Sequence, residues 1–265
     1  IRQAGFVASL AKGLVPRSDR LLSEIGVPDE RRLPLLMTDA DYIPFSAASQ
    51  NAALRVFCAT RLTWRKESET GLISLDYKGS DTMVRGFALF YARTGTRLDI
   101  HLVRKGRHVV ETARLAESLG IADQITWHDE MTQARILEEF RRADVVIEQL
   151  ADATLGMAGL DAMATGRPVI GNGRPEVLEP IIGTRLPVCQ ARTPEQVAHH
   201  LGILAASPQA RADIGADSRR CIIDFFSSDA AARSFIERIR TLTPDASGKP
   251  PSAGKLGGIF RHRDG

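Results

Sequence analysis

From Leu54 onward the chain alternates short apolar or β-branched runs with stretches of helical periodicity, and this alternation constrains the fold more than any other feature of its 265 residues. Strands are expected at Arg55–Cys58, Leu98–Val103, Gln124–Trp127, Asp144–Ile147, Arg167–Ile170 and Leu186–Cys189. Helices are expected at Asp81–Arg93, Val109–Leu119, Met131–Arg142 and Met157–Thr165. In the second of these, Val109, Ala113 and Ala116 recur at spacings of four and three, giving one apolar face that can pack on a sheet. Parallel neighbours need a crossover, which the intervening helices supply, so the pattern argues an α/β chain with a doubly wound parallel sheet.

The C-terminal third reads as helix only. Thr193-Pro-Glu-Gln196 is a capping box with proline at the first helical position, and Ser207-Pro208 repeats the start signal. Two helices should follow to about Phe226, and a last one should begin at Ser228 or Asp229 and cover Ala231–Thr241. From Pro244 the Pro, Gly, Ser and Lys content rises and periodicity vanishes, which predicts a disordered tail. At the other end, Phe6–Leu14 reads as a helix already under way in a chain that starts on Ile1, which suggests a truncated sequence. Pro44 and the small polar residues Ser46–Asn51 read as a linker.

Net charge is +3, and most of it belongs to Lys249, Lys255, Arg261 and Arg263 in the tail, so the body has no electrostatic footprint for nucleic acid. Cys58, Cys189 and Cys221 are odd in number and widely spaced, which suits reduced thiols and a cytoplasmic setting. No apolar run approaches the roughly 20 residues of a membrane span.

In an open parallel sheet ligands bind beyond the carboxyl ends of the strands, where helix N-termini present free amides. The strongest candidate is Asp144–Leu150, then Gly156, then Gly159–Ile170: strand, glycine-bearing loop, helix with one acidic residue, Gly-x-Pro, strand. Glycine near the helix start lets a ligand approach the backbone, and Asp161 in the first turns could accept hydrogen bonds from paired hydroxyls, as a ribose diphosphate requires. From periodicity alone, a packed helix with a solvent-facing Asp161 is the better fit.

The segment Leu160-Asp-Ala-Met-Ala-Thr-Gly-Arg-Pro-Val-Ile170 resembles the Leu-Glu-Ala-Met-Ala-x-Gly-x-Pro-Val-Ile signature of group 1 (family 4) glycosyltransferases of the GT-B fold. Arg61-Leu62 and Lys78-Gly-Ser-Asp81 resemble that family's Gly-Arg-Leu and Lys-Gly-x-Asp elements, Leu119–Trp127 its Leu-Gly segment, and Arg142–Ile147 its Ala-Asp-Val strand. The resemblance implies a Rossmann-like C-terminal half of a GT-B fold with a helical C-terminal extension. Its implied layout is a remnant of an acceptor domain plus linker (1–50), a nucleotide-sugar donor domain (51–228), a crossing helix (229–243) and the tail (244–265).

The resemblance also implies roles. Arg61 and Lys78 would hold and stabilise the departing diphosphate, Asp161 the ribose, and the amides of Gly156, Met157 and Ala158 the phosphates or sugar. Independently of the resemblance, His128 follows a strand and could line the nucleotide pocket, although a satisfied surface histidine is the better reading of that position. The expected reaction is metal-independent, retaining transfer from a UDP- or GDP-linked donor to a glycan or lipid-linked acceptor, without a cofactor. Any membrane contact would be peripheral, at the inner face and through a missing N-terminal domain. Two departures stand out: Asp161 replaces the second Glu of the family's Glu-x7-Glu, and Ala153 replaces the first, with Asp152 adjacent and Glu148 upstream. Trp64–Asp76 is a longer charged excursion than usual. With the acceptor domain missing, the alternative is a non-catalytic nucleotide-sugar-binding fragment or degenerate subunit; a sugar-nucleotide epimerase on the same fold fits the motifs less well.

Other motifs carry less. Asp39-Ala-Asp41 has a metal-binding spacing but lies in the linker, His199 and His200 lack the i, i+4 spacing of a zinc pair, and Gly171-Asn-Gly173 lacks the third glycine of a dinucleotide fingerprint. Cys58 and Cys189 fall in strands, where thiols belong to the core. Trp127 reads as packing, and Trp64 as either packing or a base-stacking surface.

Overall fold

The computed structural model describes residues 6–47, 51–64, 77–151 and 154–242. Its main element is a six-stranded, all-parallel sheet. The strands are β3 (Arg55–Cys58), β4 (Asp99–Val103), β5 (Ile125–His128), β6 (Val145–Ile147), β7 (Val169–Gly171) and β8 (Cys189–Gln190), in the order β5-β4-β3-β6-β7-β8. The order reverses between β3 and β6, where Val56 faces Ile100 on one side and Val145 on the other. Val56, Phe57, Val145, Val146 and Ile147 are fully buried, because a central parallel strand is covered on both faces and therefore carries apolar side chains in succession.

One face is covered by α2 (Ser80–Thr94), α3 (Val109–Ser118) and α7 (Pro194–Ala206), with Val84, Phe87 and Phe90 meeting Val197, Leu201 and Leu204. The other is covered by α4 (Gln133–Arg142), α5 (Met157–Ala164), α6 (Pro175–Ile182) and the end of α8 (Pro208–Cys221), through Phe140, Leu160, Met163, Leu178 and Cys221. The start signals are realised in atoms: the Thr193 side chain accepts from the Gln196 amide and that of Ser207 from the Ala210 amide at 3.0 Å. The Gln196 side chain reaches one residue further back than a standard capping box and accepts from the Arg192 amide at 2.8 Å. A wide helical turn at 222–226 leads into α9 (Ser228–Leu242). The expected disordered tail, residues 244–265, lies outside the described residues.

The N-terminal region corrects the expectation of a helix over Phe6–Leu14. Val7–Ser9 is instead a strand, β1, which pairs in parallel with β2 (Arg32–Pro34) across α1 (Pro16–Glu24). Gly13 takes a left-handed φ of +92°, and Val15 is extended ahead of Pro16, so the helix can start only there. The buried Arg32 ties the unit together by donating to Asp19 at 3.1 Å and to Ser23 at 3.1 Å. The ring of Phe235 on α9 meets Phe6 edge-on at 5.2 Å.

The stretch read as a linker is packed where it is described. Thr38 donates its amide to the Phe226 carbonyl at 2.8 Å and bridges to Ser227. Arg219 donates to the carbonyls of Ile43 (2.8 Å), Ala164 (2.7 Å) and Ala40 (3.1 Å). The fully buried Arg167 donates to those of Ala47 (2.9 Å), Phe140 (3.0 Å) and Arg141 (3.1 Å). These guanidinium groups supply partners for backbone oxygens that the fold removes from water.

Candidate functional site

The carboxyl ends of β3 and β6 flank the reversal of strand order, the position where doubly wound sheets open a crevice. Thr60 and Arg61 follow β3, and Glu148 and Gln149 follow β6. Lys78 is drawn into the same place by its backbone: its amide donates to the Thr63 carbonyl at 2.6 Å and its carbonyl accepts from the Leu150 amide at 3.0 Å. Its Nζ then donates to Gln149 Oε1 at 2.8 Å, while the Gln149 amide group donates to the Thr154 carbonyl, so the lysine is held by a residue that is itself held. Arg61 is exposed on the loop beside it.

Glu148 lies beneath this group, 6% exposed, with Thr60 Oγ1 3.4 Å from its Oε1. Burial pushes its carboxyl above the usual range; hydrogen bonds from the backbone at Gln149 and Gly156, and the charge of Lys78, pull the other way. Gly156 is the residue before α5, and a Cβ on it would meet Glu148 Oε1 at 3.0 Å. Glycine therefore brings the amide-bearing start of the helix down onto the carboxyl and toward Lys78, which a larger residue would hold apart.

Further along α5 the environment changes. Met157 is exposed, whereas Asp161 is buried, and both line a cavity of about 540 Å³ with Met37, Thr38, Tyr42 and Gln133. The Thr38 hydroxyl donates to Asp161 Oδ1, and Gln133 Nε2 donates to Oδ2 at 3.4 Å. Burial raises the Asp161 carboxyl above its ordinary range, and these two donors oppose the shift.

The structure thus gathers Lys78 and Gly156 around Glu148, places Met157 and Asp161 in the adjoining cavity with Ala158 between them on α5, and leaves Arg61 at the rim. His128 turns onto the sheet face: it stacks on His101 with ring centroids 5.1 Å apart, and its Nε2 lies 2.8 Å from His101 Nδ1. His101 Nε2 in turn is 2.9 Å from Asp99 Oδ1. Burial and then the charge of His101 lower the His128 ring below its ordinary value. Asp152, Ala153 and residues 65–76 lie outside the described residues. Thr38 and Gln133 were not anticipated from sequence, because nothing local marks a threonine 123 positions from the carboxylate it binds.

Trp127 is half-buried and packs against the core. Burial pushes the thiols of Cys58 and Cys221 up to about 12 and that of Cys189 to about 11, which leaves them protonated and inert as nucleophiles. Among the described residues no three of His, Cys, Asp or Glu are grouped to hold a metal ion, and no helix is long and apolar enough to cross a membrane.

A parallel sheet whose strand order reverses at its centre, flanked by helices on both faces, defines a Rossmann-like α/β domain. Residues 70–207, more than half of the chain, match the model of the family described as glycosyl transferases group 1, and the chain belongs to that family. It is 33% identical over 106 residues to a D-inositol 3-phosphate glycosyltransferase of Streptomyces griseus subsp. griseus, covering 39% of this chain and 22% of that protein. It is 30% identical over 161 residues to the protein of the same name in Xylanimonas cellulosilytica, covering 58% of this chain and 37% of that one. The matches therefore span well under half the length of these curated relatives.

Solved structures share the fold. Anabaena HepE in complex with UDP and glucose superposes with a TM-score of 0.65 at 13% identity, over 90% of this chain and 64% of that one. Sucrose-phosphate synthase from Thermosynechococcus elongatus gives 0.64 at 17% identity, over 91% and 59%.

Proposed function

We propose that this chain is the nucleotide-sugar-binding part of a glycosyltransferase that moves a sugar from a UDP- or GDP-linked donor to a hydroxyl of a glycan or lipid-linked acceptor, with retention and without a metal. The observation that carries the reading is the convergence of Lys78 and the start of α5 at the switch point. Departure of a nucleoside diphosphate builds negative charge on its terminal phosphate, and a fixed ammonium with oriented amides stabilises that charge without reorganising. Lys78 takes this role, with Arg61 closing over the phosphates from the rim and the amides of Gly156, Met157 and Ala158 facing them. Asp161 accepts from the ribose, and His128 contributes only a wall, since its Nε2 is engaged with His101. Glu148 supports Lys78: to the extent that burial keeps the carboxyl protonated, the ammonium stays unneutralised for the phosphate.

Relatives and neighbours support the reading by their names: two are inositol phosphate glycosyltransferases, and one solved neighbour was determined with UDP and glucose. Titration with UDP and GDP tests it, and a native chain that binds neither overturns it. Ala153, in place of the acid seen in the resembling family, favours a second reading in which the donor is bound but not transferred. A donor-hydrolysis assay separates the two: nucleotide binding without turnover of a UDP- or GDP-sugar selects the second.

A further inference from the structure

We propose that Thr38 and Gln133 are positioning residues that hold Asp161 for a ribose diol, and that the stretch from Thr38 to Ile43 forms one wall of the nucleoside site. The inference rests on the functional reading above and extends it to Thr38–Ile43, which lie outside the expected donor domain.

Each oxygen of the Asp161 carboxylate has one donor from the protein, Thr38 to Oδ1 and Gln133 to Oδ2. A carboxylate oxygen accepts two hydrogen bonds, so each keeps one lone pair in hand, and Asp161 lines the cavity. Two acceptors on one planar group match the two adjacent hydroxyls of a ribose. The cavity, about 540 Å³, falls in the range of small-molecule sites. Met37, Ile43, Leu137 and Met157 give it apolar walls and Tyr42, which is 82% exposed, an aromatic one.

Its lining holds two carboxylates, Asp39 and Asp161, and no Lys, Arg or His, so it suits the neutral, hydroxylated end of a nucleotide and repels the phosphates. Those have their own place at the start of α5. Asp161 lies five residues beyond Gly156, about 7.5 Å along a helix axis, so one helix addresses both parts of the ligand.

Thr38 is not a free surface hydroxyl. Its amide is bonded to Phe226, its strand-like bridge runs to Ser227, and the carbonyls of Ala40 and Ile43 just beyond it are held by Arg219. The backbone is fixed before any ligand arrives, which is what a positioning role requires. Burial opposes ionisation of Asp161, so without its donors the carboxyl would tend to hold a proton and offer one acceptor fewer.

The test is calorimetric titration of the full chain with UDP, GDP, their 2′-deoxy counterparts and pyrophosphate, for the native chain, Thr38→Val, Thr38→Ser and Gln133→Leu. The native chain should prefer the ribonucleotide about tenfold or more, because a site built around a hydroxyl rejects the analogue lacking it. Thr38→Val should collapse that preference to about threefold or less while leaving pyrophosphate unchanged, and Thr38→Ser should restore it. Should Thr38→Val lose its cooperative thermal transition, Gln133→Leu, at an exposed position, must show the same partial collapse. An unchanged preference in the variants, an equal loss of nucleotide and pyrophosphate, or a native chain that binds UDP or GDP without preferring ribose overturns this assignment alone. A native chain that binds none of the ligands overturns the functional reading beneath it.

Discussion

The start and the middle of α5 solve opposite electrostatic problems. At its start, Gly156, Lys78 and Gln149 surround a protonation-prone carboxyl and present positive potential. One turn on, Asp161 sits in a cavity with apolar walls, a second carboxylate and no basic lining residue. On the proposed reading, a single helix thereby separates a place for phosphates from a place for hydroxyls. The difference teaches that specificity for an asymmetric ligand needs no large surface, only a short rigid rod whose successive turns meet surroundings of different sign.

The sharpest way to break the contrast is at the positive end. Lys78→Ala should weaken UDP and pyrophosphate alike by about 1.5 to 3 kcal/mol, the range of charge-assisted hydrogen bonds, and Arg61→Ala should do so to a smaller degree because that residue is exposed. Calorimetry that finds pyrophosphate binding intact in Lys78→Ala removes the lysine from the phosphate site. Next, Asp161→Ala should cost about 1 to 3 kcal/mol in nucleotide binding and nothing for pyrophosphate; equal losses for both erase the distinction between start and middle.

Glu148→Gln probes the support beneath Lys78. A carboxyl raised in the folded state favours folding fully below its unfolded value and loses that contribution as pH rises through the raised value. Native stability should therefore fall from the ordinary carboxylate range upward, and chemical denaturation of Glu148→Gln across that range should give a flatter profile. The smallest effect belongs to Met157→Ala, which trims the cavity wall at an exposed position: nucleotide binding should weaken by less than about 1 kcal/mol, with pyrophosphate unaffected.

Much of the sheet was legible because buried parallel strands are written as unbroken apolar runs. Arg55–Cys58 is bounded in the structure as its residues suggest, and Ser207-Pro208 starts a helix as its capping chemistry dictates. What escaped is what depends on partners distant in sequence. Val7–Ser9 has no strand signature of its own and becomes a strand only by pairing with Arg32–Pro34. The helix Pro175–Ile182, absent from the expectation, carries Pro180 within it, a residue that discourages reading a helix there. Lys78 was found through a motif, whereas Glu148 became more than a neighbour of that motif only when Thr60, Gly156 and Lys78 were seen around it.

The two guanidinium clamps, buried Arg167 and half-buried Arg219, set the minimal autonomous unit. A polypeptide begun at residue 51 would strip both arginines of acceptors on residues 40–47 and leave desolvated cations behind, so the smallest excised piece that folds cooperatively should start upstream of Thr38.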